Sequence, residues 1–406
     1  MAEKILIIAV QRQTDDDLHF HYSMEEIKSL SKTARGEVVD VITQKRNQPH
    51  PATYLGKGKI EEIDLIIESE EIDLIIANDE LSASQMRNLQ NRTGVSVIDR
   101  SQLILDIFAS RATSNEGKLQ VELAQYQYLL PRLHGQGLAL SRLAGGIGTR
   151  GPGETKLESD RRHINRRINE IKRRLQTVVN QREQYRKRRR LNHTFNIAIV
   201  GYTNAGKSTL FNRLTDSDSF EEDQLFATLD PMSRKLKLPS GLSAIITDTV
   251  GFMQDLPTEL IAAFKSTLEE VSEADLIFHV VDASHPDHDQ QQATVLELLE
   301  ELNADHIPML TIYNKRDQIE GDFIPMLKPS IVVSALVESD RQDILVETER
   351  LIKKIWRKYQ ITLPADQGKI LQQYKQHSLM IREVFLEEQQ AYQIEGYLPE
   401  DHPLIR

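Results

Sequence analysis

Residues 4 to 98 alternate short apolar runs with segments whose apolar residues recur every three or four positions. The apolar runs predict buried strands, and the helical spacing predicts amphipathic helices between them. Because strands that alternate with helices favour a parallel sheet, we expect an N-terminal α/β domain over residues 1–112. The predicted strands are Lys4–Val10, Glu37–Thr43, Asp73–Ala77 and Val95–Ile98, and the predicted helices are Ser23–Ala34, Lys59–Ser69 and Ser82–Asn91.

Residues 113–192 carry two longer helical patterns, separated by a segment with seven glycines between Gly135 and Gly153. The first helix is predicted over Glu116–Leu133, where Pro131 should kink or close it, and the second continues to about Leu191. Since each helix has one narrow apolar face, we expect an antiparallel hairpin with the glycine-rich loop at its tip. The apolar faces consist of Leu119, Leu123, Tyr126 and Leu130 in the first helix and Ile164, Ile168, Ile171 and Leu175 in the second.

The net charge of -11 is distributed unevenly along the chain. Between Arg150 and Arg190 there are 15 Lys or Arg against 5 Asp or Glu, a local charge of +10 that leaves -21 on the remainder. A solvated helix face is the ordinary explanation of charged residues, but the uniform sign here favours contact with a polyanion. The arginines expected to face outward are Arg161, Arg162, Arg166, Arg167, Arg173 and Arg174.

Residues 193–358 return to alternating strand and helix patterns and predict a second α/β domain. Residues 359–406 predict a small α+β module, with an apolar Ile361–Leu363, a helix near Gln367–His377 and an apolar run over Leu379–Leu386. The strands predicted in the second α/β domain are Phe195–Val200, Ser233–Leu238, Ala244–Asp248, Leu276–Val281, Met309–Tyr313 and Ile331–Val333.

The stretch GYTNAGKS follows the first of these strands and leads into a helical pattern. A glycine-rich turn in that context binds phosphate, because successive N–H groups and the positive end of the helix point at the anion. We expect Lys207 to reach the β- and γ-phosphates and the Ser208 hydroxyl to ligate Mg²⁺. The loop comprises Gly201, Tyr202, Thr203, Asn204, Ala205, Gly206, Lys207 and Ser208.

Two later segments are predicted to respond to the γ-phosphate. Thr228 can offer its hydroxyl to Mg²⁺ and its N–H to the γ-phosphate, Asp248 can bind Mg²⁺ through water, and the Gly251 N–H can meet the γ-phosphate. Lys207, Thr228 and Gly251 are the predicted catalytic residues, and Ser208 and Thr228 are the predicted metal ligands. The segments consist of Phe226, Ala227, Thr228, Leu229 and Asp230, and of Asp248, Thr249, Val250 and Gly251.

Two more segments predict recognition of guanine. A buried Asp317 would accept hydrogen bonds from guanine N1–H and N2–H₂, a donor pair that adenine lacks, and a backbone N–H after the next strand would meet guanine O6. The chain is therefore predicted to hydrolyse GTP to GDP and phosphate. The residues are Asn314, Lys315, Arg316 and Asp317, followed by Ser334, Ala335 and Leu336.

Two residues of the predicted site bear on the rate of hydrolysis. Phe252 stands where many GTPases carry the glutamine that orients the attacking water, so we expect slow intrinsic hydrolysis that a partner stimulates. Asn204 is similar to the loop asparagine that helps some GTPases hold K⁺ against the phosphates, although an asparagine in a turn is common without that role.

These nucleotide-binding segments resemble the translation-factor-related class of P-loop GTPases. The flanking segments Tyr54–Lys59, Asp99–Gln102 and Gly145–Glu154 are similar to those of the HflX family of ribosome-associated GTPases, over nearly the full chain. The resemblance implies binding to the large ribosomal subunit, with the hairpin loop near ribosomal RNA, and splitting of stalled ribosomes.

A regulatory GTP switch whose basic hairpin binds an acidic protein or a membrane surface is the alternative. The tip loop has no bulky aromatic anchors, which argues against peripheral membrane association. The turn at residues 56–59 could bind a second nucleotide, but it lacks the full loop spacing and is better explained as a flexible turn.

Several classes of protein are excluded or disfavoured by composition. The chain has no cysteine, which excludes disulfides and thiolate metal sites, and it has no apolar run long enough to cross a bilayer. We expect a cytoplasmic monomer that does not bind DNA. His279, His285 and His288 are interpreted as surface histidines rather than a metal site, and Leu260, Phe264 and Leu268 as core residues.

Overall fold

The computed structural model describes residues 2–133, 156–191, 194–215, 225–226, 228–253, 270–319, 321–400 and 402–405. The predicted tip loop and the predicted core residues Leu260, Phe264 and Leu268 lie outside these ranges. The chain divides into two compact units. The first extends to Val179 and includes Leu225 and Phe226, and the second contains the other described residues from Asn180 onward. No helix in the described ranges has the length and apolar character needed to span a membrane.

The first unit begins with a four-stranded parallel sheet of order β2-β1-β3-β4. This confirms the predicted α/β arrangement. Helix α1 starts six residues before the predicted Ser23, because the Asp16 carboxylate caps it by accepting the N–H groups of Leu18 and His19 at 2.7 and 3.1 Å. The elements are β1 Lys4–Arg12, α1 Asp17–Thr33, β2 Glu37–Arg46, α2 Lys57–Glu70, β3 Leu74–Ala77, α3 Ala83–Thr93 and β4 Ser96–Asp99.

The segment before α2 is anchored by hydrogen bonds, so the expectation of a flexible turn there is wrong. Tyr54 and Leu55 are fully buried, and the Tyr54 hydroxyl accepts the Val10 N–H at 3.0 Å and donates to Asp79. The Gly56 N–H donates to Gln44 Oε1 at 2.8 Å. The segment therefore fixes the start of α2 against the sheet.

The described part of the first unit contains three further helices, namely α4 Arg100–Arg111, α5 Asn115–Arg132 and α6 Lys156–Leu191, the last of which continues past the boundary at Val179. Pro131 lies in the last turn of α5, as expected of a helix end. All eight apolar residues predicted for the hairpin faces form one cluster between α5 and α6. Arg167 differs from the prediction: its guanidinium pairs with Glu122 at 2.8 Å and Glu170 at 3.0 Å, so it helps to join the helices.

The second unit contains a six-stranded sheet of order β10-β9-β8-β5-β7-β6. Its pairs are parallel except for β6, which runs antiparallel to β7 at the edge. The apolar runs that predicted these strands are buried in the sheet, most completely in β8. The elements are β5 Phe195–Gly201, α7 Lys207–Thr215, β6 Met232–Lys237, β7 Ser243–Asp248, β8 Leu276–Asp282, α8 His288–Glu301, β9 Met309–Asn314, β10 Ser330–Val332 and α9 Glu338–Ile355.

The C-terminal residues form a three-stranded antiparallel sheet of order β11-β13-β12 with one helix, an α+β arrangement as predicted. Strand β13 was not predicted. Leu379 and Tyr397 join the same apolar cluster as the six-stranded sheet, so these residues extend the core of the second unit. The elements are β11 Arg357–Pro364, α10 Gly368–His377, β12 Leu379–Leu386 and β13 Ala391–Leu398.

Candidate functional site

The loop between β5 and α7 has the backbone of a phosphate-binding turn. Asn204 and Gly206 have φ angles of 60° and 89°, in the left-handed region that directs the chain back toward the start of α7. A Cβ atom on Gly206 would lie 2.2 Å from Asn314 Nδ2. Only glycine fits there, and the loop is therefore closed directly against β9.

Lys207 opens α7 with its side chain buried inside this loop. Its Nζ donates to the Tyr202 carbonyl oxygen at 2.6 Å, which holds the ammonium group within the turn. Burial lowers the pKa of Lys207 to about 8, against the opposing effect of the Asp248 carboxylate. An anion bound in the loop would reverse that shift, because it favours the charged ammonium.

Three oxygen-bearing side chains meet beside the loop. The Ser208 and Thr228 hydroxyls are 2.8 Å apart, and they donate to Asp248 Oδ2 at 3.0 and 2.8 Å. Burial raises the pKa of Asp248, with Lys207 acting in the opposite direction. Asp248 Oδ1 is buried and has no hydrogen-bond partner in the described part of the chain. Hydroxyl and carboxylate oxygens in this arrangement fit the preference of Mg²⁺.

The segment after β7 is tied to the phosphate-binding turn by a short stretch of parallel pairing. The Thr203 N–H donates to the Phe252 carbonyl at 2.6 Å, and the Phe252 N–H donates to the Gly201 carbonyl at 3.0 Å. Phe252 is buried at this junction. A Cβ atom on Gly251 would lie 3.0 Å from Lys207 Nζ, so Gly251 is directly beside the lysine.

Asn314 connects the phosphate-binding turn to the loop after β10. Its Nδ2 donates to the Ala205 carbonyl at 2.9 Å, and its Oδ1 accepts the Ala335 N–H at 2.8 Å. The next residue, Lys315, has a φ of 61°, and its Nζ lies 2.7 Å from Asp282 Oδ2. The two predicted guanine-binding segments are thus adjacent in the structure.

Asp317 lies in a 3₁₀ turn over Arg316–Gln318 and is exposed, so the expectation that it is buried is wrong. Leu336 is 61% exposed and its N–H donates to Ser334 Oγ at 3.3 Å. Among the other predicted residues, Ala227 lies outside the described ranges and Asp230 is half-buried. The buried ones that bring an apolar side chain or a hydroxyl are Tyr202, Thr203, Phe226, Leu229, Thr249 and Val250.

Two acidic residues of this region were missed by the sequence analysis. Asp282 ends β8 and pairs with Lys315, and Asp340 lies in the first turn of α9, where it contacts Arg316 and Ser334. A signal for Asp282 was available, since it ends a parallel strand, where functional side chains collect. Asp340 gave no such signal, because it lies in an ordinary polar stretch of helix.

The interpretation of His279 as a surface histidine is wrong, because His279 is fully buried in β8. Neither ring nitrogen has a hydrogen-bond partner in the described ranges. Burial, and secondarily Lys207, lower its pKa to about 4. His285 and His288 contact each other's segment in the loop before α8, and the described residues hold no cluster of three or more His, Cys, Asp or Glu fit for a metal.

Three family models match consecutive parts of the chain. Residues 21–109 match "GTP-binding GTPase N-terminal", residues 111–189 match "GTP-binding GTPase Middle Region", and residues 196–315 match "50S ribosome-binding GTPase". Among solved structures, a GTP-binding protein from Sulfolobus solfataricus in complex with GDP is similar with a TM-score of 0.46 and 23% identity, covering 86% of this chain and 98% of that one.

Curated relatives match over almost the whole length. The GTPase HflX of Alkalihalophilus pseudofirmus is 57% identical over 400 residues, which cover 98% of this chain and 94% of the relative. The GTPase HflX of Escherichia coli is 39% identical over 405 residues, with the same coverage of 98% and 94%. With these relatives and a P-loop domain of the geometry described, the chain belongs to the HflX family of GTPases and is a GTP-binding GTP hydrolase.

Proposed function

We propose that this chain uses GTP binding and hydrolysis to control its association with the large ribosomal subunit and its ribosomal RNA, and that it splits or rescues stalled ribosomes. The observation that carries the proposal is the basic outer surface of α6, in a chain whose following GTPase domain matches a family model described as 50S ribosome-binding. The exposed arginines on that surface are Arg161, Arg162, Arg166, Arg173 and Arg174.

The nucleotide in this proposal occupies a site with two halves. The phosphate half consists of residues 201–208, Thr228 and residues 248–251, and the guanine half consists of residues 314–317 and 334–336. Lys207, Thr228 and Gly251 would contact the β- and γ-phosphates, and Asp317 would read guanine N1–H and N2–H₂. Support comes from the convergence of Ser208, Thr228 and Asp248, and from the bonds of Asn314 to both halves.

Two cations have proposed places in the phosphate half. Ser208 and Thr228 would hold Mg²⁺, with Asp248 acting through water, and the ion would neutralise charge on the phosphates when bound. Asn204, at a φ of 60° in the turn, would help to hold K⁺. Hydrolysis is then faster in K⁺ than in Na⁺, and equal rates in the two salts would remove the K⁺ assignment.

Hydrolysis by the isolated chain should be slow. Phe252 is buried and apolar, and its backbone N–H and carbonyl are both used in the pairing with the phosphate-binding turn, so it cannot orient water. The missing catalytic element would come from the ribosomal partner. GTP turnover measured with and without purified large subunits tests this, and a fast rate without subunits would contradict it.

The basic surface of α6 gives the sharpest test of the ribosomal role. Reversing Arg166, Arg173 and Arg174 to glutamate should abolish co-sedimentation with large subunits in the presence of a GTP analogue. GTP affinity should be kept, because the three side chains are exposed and belong to none of the predicted nucleotide-binding segments. Arg167 is left intact because it pairs with α5. The matched control reverses Arg350, Lys353 and Lys354, three exposed charges on α9.

The same experiment separates the alternative and the oligomeric state. Binding of the unmodified chain to anionic vesicles but not to subunits would favour a switch at an acidic protein or membrane surface. If the α6 variant co-sediments normally, the basic surface is only a solvated helix face and does not bind the ribosome. Sucrose gradients of 70S ribosomes incubated with the protein and GTP measure splitting directly. Analytical ultracentrifugation of the protein alone tests the proposed monomeric state.

A further inference from the structure

One buried carboxylate joins the two segments of the guanine half. Asp340 lies in the first turn of α9 and is 2% exposed. Its Oδ2 accepts the Ser334 N–H at 2.7 Å, and its two oxygens lie 3.1 and 3.0 Å from the Arg316 guanidinium. Among the described residues, Asp340 makes no hydrogen bond to Asp317, Ala335 or Leu336.

The partners of Asp340 are the immediate neighbours of those reading groups. Arg316 precedes Asp317, and Ser334 precedes Ala335, whose N–H is already bound to Asn314 Oδ1. The Arg316 N–H also donates to the Val333 carbonyl at 3.0 Å, which adds a backbone bond between the same two segments. The Asp340 carboxylate therefore restrains the distance between them from the side of α9.

The contacts of Asp340 with the two segments differ in strength. The bond from Ser334 N–H is buried and charge-assisted, so water does not compete with it. The Arg316 side chain is 50% exposed, and its ion pair is weakened by solvent. Removing the Asp340 charge should therefore displace Ser334 more than removing the Arg316 guanidinium displaces the Arg316 segment.

We propose that Asp340 is a positioning residue for guanine specificity. It sets the spacing between the Asp317 carboxylate and the loop at residues 334–336, which is proposed to meet O6, so that the N1–N2 edge and O6 are read at the same time. This inference rests on the proposed guanine half of the site. Through Asp340, helix α9 takes part in base selection, although it lies outside the four predicted nucleotide-binding segments.

The test compares GDP with inosine diphosphate, which lacks only the 2-amino group. In Asp340→Asn, GDP affinity should fall at least tenfold and inosine diphosphate affinity should fall less, so that the ratio of the two affinities contracts at least threefold. Arg316→Met should contract the ratio about twofold. Glu347→Gln is the matched control, because it breaks the ion pair with Arg350 on the same helix, away from both segments.

Equal loss of both nucleotides in Asp340→Asn, with a lowered Tm, would mean a merely structural carboxylate and would overturn the proposal. If Asp340→Asn does not fold, Arg316→Met decides, since its side chain is half exposed and its loss is tolerable; an unchanged ratio there overturns the proposal as well. Failure of the guanine half itself gives a different result. In that case the unmodified chain binds GDP and ADP equally.

Discussion

Within the phosphate half of the proposed site, the turn at residues 201–208 takes its groups from consecutive residues, whereas the guanine half depends on bonds between distant segments. Lys207 bonds to a carbonyl five residues away, within a single turn. Ala335 bonds to Asn314 across 21 residues, and Asp340 reaches 24 residues back to Arg316. A phosphate is bound by a local backbone shape, but a base edge is read only when separate loops keep a fixed spacing.

Gly206 is the place where both halves can be broken at once. Gly206→Ala should reduce GDP affinity more than 100-fold, because the new Cβ would lie 2.2 Å from Asn314 Nδ2 and displace the side chain that joins the halves. The positive φ of 89° adds strain of about 1–3 kcal/mol for alanine. Titration with a fluorescent GDP analogue measures the loss.

The matched control for that change is Gly241→Ala. Gly241 has a φ of 94°, yet no heavy atom lies within 4 Å of its hypothetical Cβ. Both variants place alanine at a positive φ, but Gly241 lies between β6 and β7, outside the proposed site, and its Cβ collides with nothing. A comparable loss of GDP affinity in both would mean that strain, and not the contact with Asn314, controls binding.

Asp317→Asn should break the guanine half alone. Loss of two charge-assisted hydrogen bonds predicts a fall in GTP affinity of about 100-fold or more, since each is worth roughly 1.5–3 kcal/mol. The amide offers a donor that suits the 2-oxo group of xanthine, so affinity for xanthosine triphosphate should rise. Competition binding with the two nucleotides measures both changes. An unmodified chain that binds GTP and ATP equally would contradict the assignment.

The same contrast explains what could be predicted from the sequence. Residues 201–208 were recognised because strand, glycine turn and helix are consecutive, and their chemistry is contained in eight positions. The apolar faces of α5 and α6 were also predictable, because helical periodicity lies within each helix and all eight positions form the observed cluster. In both regions the prediction succeeded because the physical cause of the structure is local.

Contacts between distant residues were not predictable in the same way. Arg167 looked like its neighbouring arginines, but Glu122 lies opposite it on α5. Strand β13 forms by pairing with β11 and β12. The role of Asp340 depends on its contact with Ser334, in a different segment of the chain. His279 sits in an apolar strand whose burial is decided by the sheet on both sides.

The pKa of Lys207 gives a test of the phosphate half by pH. Phosphate favours the charged ammonium, so binding raises a pKa that burial lowers to about 8 in the free chain. Below that pH the lysine is already protonated and adds no pH dependence of its own. Above it, GDP affinity should fall toward tenfold per pH unit, because binding must take up a proton. Calorimetry in buffers of different ionisation enthalpy measures that uptake, and Lys207→Arg should remove it.

His279 offers the mildest perturbation, since it lies on β8 between the strands that lead into the two halves, β5 and β9. His279→Phe removes two buried ring nitrogens without partners in the described ranges and should stabilise the chain by about 1–2 kcal/mol. The pKa of His279 is about 4 in the folded chain, below the ordinary value of 6.5. Between these two values the unfolded chain binds a proton that the folded chain does not. The free energy of unfolding should therefore fall as the pH drops from 6.5 to 4. Urea unfolding at pH 7 and pH 5 should show a smaller difference in the variant than in the unmodified chain, with GDP affinity equal in both. A variant that unfolds more easily at pH 7 would mean that the ring nitrogens are used, and an altered GDP affinity would mean that the two halves are coupled through β8.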